Sequence, residues 1–184
     1  FFFKQKTAYE IPKRDWSSDV CSSDLHGANR SGRPFTGDHA GILLYATLHK
    51  FGFAAKPVSV AASDGLKLID CRITNAVKCL PPQNKPLPAE VRQCNGYLAH
   101  ELARVPRGGA VLALGTVAHQ AVLMAGGEKS ARAAFAHGAR HALADGRVLF
   151  DSYHCSRYNT QTRRLTAAMF EAVFADIRRY LQRR

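Results

Sequence analysis

No apolar run in this 184-residue chain approaches the roughly 20 residues that a helix needs to cross a bilayer, so no membrane partner is expected. The start carries no recognisable secretory signal. Cysteine is scarce and odd in number, five in all, which leaves no even framework for disulfides. Both absences point to a reducing, cytoplasmic compartment, with the thiols buried or serving as metal or cluster ligands. Acidic residues are few: 14 against 26 Lys and Arg, for a net charge of +12 and a pI of about 9.9. That sign favours a polyanionic partner, or simply solubility. The basic residues are spread out rather than gathered into a tail, and Arg178-Arg179 and Arg183-Arg184 read as solvated helix faces.

What is present suffices for one domain with a real core. The apolar share of 46% and charged share of 22% are ordinary for a globular chain. The first 25 residues read differently. Phe1 to Glu10 and Asp15 to Leu25 resemble a translated sequencing adapter, with Ile11 to Arg14 where a variable index would sit. Residues 1–25 are therefore expected to be an artefactual leader on an N-terminally truncated domain spanning 26–184, and are set aside from fold reasoning. Trp16 and Cys21 then carry no function. The leader holds four residues of each charge sign, so the remainder keeps the full +12.

Beyond residue 25 there is no internal repeat or low-complexity tract. Residues 26–38 read as a Gly-rich loop. Ala40 to Phe51 has apolar residues near helical period, with Gly52 as a stop. Leu66 to Val77 is strand-like. Pro88 opens a helix to about Val105, placed where a missing N–H is harmless. The run 110–115 is a strand ending in Gly115 before a helix over Thr116–Ala125. Arg147 to Tyr153 is the next strand, and Thr162 to Leu181 a final amphipathic helix. Strands alternating with helices imply an α/β fold, a mostly parallel sheet covered on both faces.

Ligands of such sheets bind beyond the carboxyl ends of the strands. The polar motifs fall there: Asn75 to Asn84, with Pro81-Pro82 as a stiff turn, and Tyr153 to Asn159. A third cluster, Gly32-Arg33-Pro34-Phe35-Thr36-Gly37-Asp38, precedes the first helix. Amides, a thiol and a rigid turn at a strand end suit the rim of a pocket that reads a flat polar ring. Taken singly, each residue also has a plainer reading: Phe35 as a core plug, Asp38 as a helix N-cap, Asn75 and Asn84 as turn caps, His154 as a satisfied core histidine.

In order and spacing, His26-Gly27-Ala28-Asn29-Arg30, GRPFTGD at 32–38, TNAVKC followed by PP and NKP at 74–86, Cys94, Ala-Leu-Gly at 113–115 and SYHCSRYNTQT at 152–162 resemble the uracil-DNA glycosylase superfamily, most closely its type-5 branch. The resemblance covers about His26 to Leu181. It implies a three-layer α/β sandwich with a four-stranded, mostly parallel sheet, the first strand lost or replaced here. It implies a monomer that excises uracil, and other deaminated bases, from DNA by flipping the base out.

Residue by residue, the resemblance makes Phe35 a stacking platform for the base and Asn75 its reader through a two-point amide contact. Asp38 positions or activates the attacking water, and Asn84 joins it in catalysis. His154 stabilises the departing uracil anion. Arg157, Tyr158 and Asn159 belong to a loop that enters the minor groove. Cys79 and Cys94 match two of four ligands to a 4Fe–4S cluster, expected in the full-length gene product and absent from this chain. Cys155 next to His154 is expected to be a small buried hydrophobe, since neighbours on a strand point to opposite faces. His119 and His137 read as packing or surface residues. No lysine stands at a pocket motif as a nucleophile, so a monofunctional hydrolysis is implied. Two rivals stay open: a damage-binding module with the same pocket and failed chemistry, and an iron–sulfur electron carrier, for which paired amides have no use.

Overall fold

The structure is a computed structural model, and it describes residues 2–3, 33–61, 63–76, 87–128 and 133–183. Among the described residues, five helices surround one sheet: α1 (His39–Lys50), α2 (Pro88–Leu102), α3 (Thr116–Ala125), α4 (Arg157–Gln161) and α5 (Ala167–Gln182). The strands are β1 (Phe2–Phe3), β2 (Cys71–Arg72), β3 (Ala110–Leu114), β4 (Arg140–Ala142) and β5 (Val148–Ser152), in the order β2-β1-β3-β5-β4.

All five residues of β3 are buried, because helices cover the sheet on both sides. Ala110, Leu112 and Leu114 face one core with Leu44, Tyr45 and Leu48 of α1 and with Phe170, Phe174 and Ile177 of α5. The alternate residues Val111 and Ala113 face a second core with Leu98 of α2 and Leu123 of α3. The period-2 alternation of a strand divides the two cores, and the result is the expected three-layer α/β arrangement. Among the described residues no helix is long and apolar enough to cross a membrane.

The sheet is mixed rather than mostly parallel. Among the described residues, only β3 and β5 pair directly in parallel. β4 is joined to β5 by the tight turn 143–147, where Leu143 N–H donates to the Arg147 carbonyl and Gly146 sits at φ 86°. A hairpin forces an antiparallel pair. β4 escaped the sequence reading because Arg140-His141-Ala142 is an edge segment with no apolar alternation. The leader, set aside on sequence grounds, contributes Phe2–Phe3 between β2 and β3, antiparallel to both. Two β-prone residues there satisfy backbone groups of both neighbours.

Other boundaries also shift. The strand expected over 66–77 shrinks to Cys71–Arg72, because the preceding residues pair with the 53–55 loop instead: Ala55 N–H donates to Lys67 O, Ile69 N–H donates to Phe53 O, and Ala54 bridges Leu68. Asp70, at φ 50°, separates the two pairings. The helix expected from Thr162 starts at Ala167. Thr166 is its N-cap, accepting from Met169 N–H at 3.2 Å, and Arg163 in a left-handed conformation breaks the chain before it.

Candidate active site

β2 and β3 both run antiparallel to β1, and β3 runs parallel to β5. The carboxyl ends of β2, β3 and β5 therefore open on one edge of the sheet. The segments leaving that edge begin at Ile73, Gly115 and Tyr153. The turn at Gly115 favours glycine because φ is 90°, a conformation that side chains rarely adopt.

The Phe35 loop meets this edge. Phe35 has φ 62°, a left-handed conformation that costs a non-glycine residue about 1–3 kcal/mol. Its surroundings hold it there. Arg33 donates to Ser59 Oγ at 2.9 Å, to the Ala61 carbonyl at 3.3 Å and to Asp64 at 2.8 Å. Thr36 and Ser59 share a buried hydroxyl contact of 2.7 Å, and Gly37 N–H donates to Ser59 O. Tyr45 OH donates to Pro34 O at 2.8 Å. The Arg33 guanidinium, with backbone N–H donors from Leu66, Val60 and Ala61, holds the Asp64 carboxyl well below the usual carboxylate range. From the other side α1 comes so close that a Cβ on Gly41 would lie 1.8 Å from the Phe35 carbonyl oxygen.

The Phe35 ring faces the imidazole of His154, centroids 5.8 Å apart and planes inclined by 43°. Burial lowers the pKa of His154 below the ordinary imidazole value, so the ring is neutral near pH 7. Its carbonyl accepts from Asn159 Nδ2 at 2.8 Å. Asp38 is the N-cap of α1: one carboxylate oxygen accepts Gly41 N–H at 2.6 Å. Cys155 is fully buried. Burial pushes its thiol up to about 12, and the Asp38 carboxylate adds in the same direction, which places Asp38 within electrostatic reach of the β5 end.

Phe35, Asp38 and His154 thus gather where α1 begins and β5 ends. Asn75 lies on the segment leaving β2, half-buried, between Ile73 in one core and Ala76 against the other. Cys79 and Asn84 lie outside the described residues. Arg157 and Tyr158 are exposed on α4, a short helix capped by Ser156 where a loop was expected; Tyr158 is 70% exposed. Asn159 is different: its side chain turns inward to the His154 carbonyl.

The family whose model matches residues 23–178 is the Uracil DNA glycosylase superfamily. The chain belongs to this superfamily. Two type-5 uracil-DNA glycosylases are similar to it: one from Thermus thermophilus is 46% identical over 154 residues, covering 84% of this chain and 70% of that protein, and one from Mycobacterium tuberculosis is 43% identical over 156 residues, covering 84% and 58%. A type-4 uracil-DNA glycosylase from Archaeoglobus fulgidus is 43% identical over 60 residues, 32% of this chain and 30% of that protein. The chain spans 58% to 70% of the length of the type-5 relatives it matches.

Of the two cysteines that the type-5 resemblance gives as iron–sulfur ligands, Cys94 lies on α2 and Cys79 lies outside the described residues. Cys94 is buried in the α2–α3 core. Cys155 lies in the other core, and Cys71 packs against it. Cys71 donates to Phe53 O at 3.2 Å and burial pushes its pKa up to about 12, the opposite of what a thiolate ligand needs. No four-thiolate set assembles among the described residues.

The structure also shows a largely buried trio that the sequence reading missed in this superfamily member. Asp151 is fully buried in β5 and receives His119 Nδ1 at 2.8 Å on one oxygen and His141 Nε2 at 3.0 Å on the other. His119 Nε2 lies 2.9 Å from the Ala133 carbonyl, so that nitrogen carries a proton. A further proton must then lie between Nδ1 and Asp151, since two lone pairs repel at that distance. Ligands sharing a tetrahedral zinc at about 2.0–2.1 Å stand about 3.3 Å apart. The shorter spacing here is that of hydrogen bonds, and the trio is a structural network. A carboxylate inside the apolar run Val148–Ser152 was the available signal, because a buried charge demands a partner.

Proposed function

We propose that this chain hydrolyses the N-glycosidic bond of uracil in DNA, leaving an abasic site. The observation that carries this reading is the Phe35 ring facing a half-buried His154 at the strand edge, beside the Asp38 carboxylate at the start of α1. An everted base stacks on Phe35, a contact worth about 1–3 kcal/mol, and Asn75 reads its carbonyl and imide edge with an amide that donates and accepts. Cleavage of the C1′–N1 bond sends its electron pair to the uracil ring. Neutral His154 donates a hydrogen bond to that ring where the negative charge develops, in a site dry enough to strengthen it. Water adds to C1′ and its proton passes to Asp38. Asn84 assists that step. Arg157 and Tyr158 face the duplex, the first toward phosphate and the second as a wedge, and Asn159 keeps their helix beside His154.

The +12 net charge supports DNA as the partner. The same reading extends to a monomer in a reducing cytoplasm, acting in base-excision repair on uracil and other deaminated bases. It takes residues 1–25 as an adapter-derived leader and 26–184 as the glycosylase domain. A 4Fe–4S cluster belongs to it only as a structural element of a longer product, with Cys79 and Cys94 as two of its ligands.

The test is a labelled duplex with a single uracil, incubated with the protein and then treated with alkali. Strand scission at the uracil after alkali, and none before it, is expected of a monofunctional glycosylase. Tight binding without any alkali-labile product would instead establish a damage-binding module.

A further inference from the structure

The segment 133–142 lies along the free side of β5 and is fastened at several points. His119 Nε2 donates to Ala133 O at one end, and His141 meets Asp151 at the other. Between them Gly138 N–H donates to Asp151 O, and Asp151 N–H donates to Ala139 O. His137 stands in the middle and reaches past the end of the strand. Its Nδ1 accepts the backbone N–H of Tyr153 at 3.1 Å, with Ser152 Oγ 3.4 Å away.

A backbone N–H only donates, so Nδ1 must offer its lone pair and His137 is the neutral ring with its proton on Nε2. Burial lowers its pKa below the ordinary imidazole value, against an opposing contact with the Met169 backbone. The His137 ring also stacks on Tyr153, centroids 5.0 Å apart and planes within 18°, and the Arg164 guanidinium sits 4.8 Å from the Tyr153 ring centroid. Tyr153 is therefore held by its peptide and by its ring. The next residue is His154, whose carbonyl is held in turn by Asn159.

We propose that His137 is a positioning residue for His154: by accepting the Tyr153 N–H and stacking on the Tyr153 ring, it fixes the peptide from which the His154 imidazole reaches the Phe35 platform. The proposal rests on the glycosylase reading above. His137 touches no substrate in this account and acts through Tyr153. Its effect belongs in the chemical step, since a small misplacement of a reacting group costs rate far more than it costs affinity.

Two substitutions in the full chain separate the parts. His137→Phe keeps a ring to stack and removes the acceptor. His137→Asn restores a side-chain acceptor close to the Nδ1 position. Single-turnover excision, affinity for uracil-containing duplex, thermal unfolding and the NMR signals of the His154 ring are measured for each. The Phe variant is expected to lose about 10- to 100-fold in excision rate, to hold its DNA affinity and to shift the His154 signals. The Asn variant recovers most of the rate and returns those signals to their wild-type positions. Wild-type rate and unmoved His154 signals in the Phe variant overturn the proposal, as does an Asn variant no better than Phe. His137→Ala replaces the Phe variant if that one does not fold, with the same outcomes. If the wild-type chain excises no uracil, the glycosylase reading fails by itself. The NMR comparison still decides the role of His137: signals displaced by Phe and restored by Asn uphold it, and unmoved signals refute it.

Discussion

Asp38 combines two duties in one carboxylate, and a pair of substitutions separates them. One oxygen caps α1 through Gly41 N–H at 2.6 Å; the proposed second duty is to take the proton of the attacking water. Asp38→Ala removes both. Loss of an N-cap costs about 1 kcal/mol, which in a chain of this size lowers the melting temperature by roughly 2–4 °C. Asp38→Asn retains the cap, since Asn is as good an N-cap as Asp, and gives up only the attraction of a negative charge to the helix N-terminus, about 0.3–1 kcal/mol. Neither amide nor methyl accepts a proton from water. Both variants are therefore expected to lose at least about 10²-fold in single-turnover excision, or about 2.7 kcal/mol of barrier, with little change in DNA affinity. The assay is quenched-flow release of uracil from a labelled duplex, beside thermal unfolding of the same samples. An Asn variant that cleaves at near wild-type rate would falsify the assignment. Equal losses of stability in the two variants would show that the charge, and not the cap, anchors α1.

Four further outcomes are expected. His154→Ala is expected to lower excision by at least about 10²-fold while affinity for uracil-containing duplex holds; weakened binding with unchanged single-turnover rate points to a binding role instead. Burial depresses the pKa of His154, so the folded state resists protonation and stability is fully present above the ordinary imidazole pKa of about 6.5. It falls as pH drops below that value toward the folded pKa; chemical denaturation at several pH values checks the slope, and His154→Ala should flatten it. Gly41→Ala places a methyl 1.8 Å from the Phe35 carbonyl, an overlap that the helix and the Phe35 loop must relieve by moving apart. A loss of about 1–3 kcal/mol is expected, and unchanged stability in urea melts would mean that the loop does not sit where it is described. DNA binding should weaken with salt at a log–log slope of about −0.9 per phosphate neutralised; a flat response in a fluorescence titration excludes the polyanion.

The helices around the two cores were legible because their cause is local. Ile42 to Phe51 and Leu165 to Leu181 repeat apolar residues near 3.6, and Asp38 and Pro88 mark helix starts by chemistry that needs only a few neighbouring residues. The sheet was less legible. β2 is two residues long because Leu66 to Asp70 found partners in the 53–55 loop, and pairing is a choice between distant segments that composition does not encode. β4 is an exposed edge with no apolar period. The motifs of Asn75 and His154 were placed at strand ends by the sequence, and the structure brings the helix-start motif of Phe35 and Asp38 to His154; that Phe35 adopts φ 62° was not legible, since no local signal asks a phenylalanine to do so.

By itself the sequence determined the α/β class, the positions of the main helices, the superfamily and the residue types available to a base pocket. Each depends on periodicity, short-range capping or an ordered set of motifs along one chain. Only the tertiary structure decided that the sheet is mixed, that Asn159 turns inward to His154, and that His119, His141 and Asp151 form one hydrogen-bonded trio. It also showed His137 holding the peptide before His154. These are contacts between residues 5 to 32 positions apart, and burial made them obligatory: a polar group cut off from water must find its partner in space, wherever the chain has placed it.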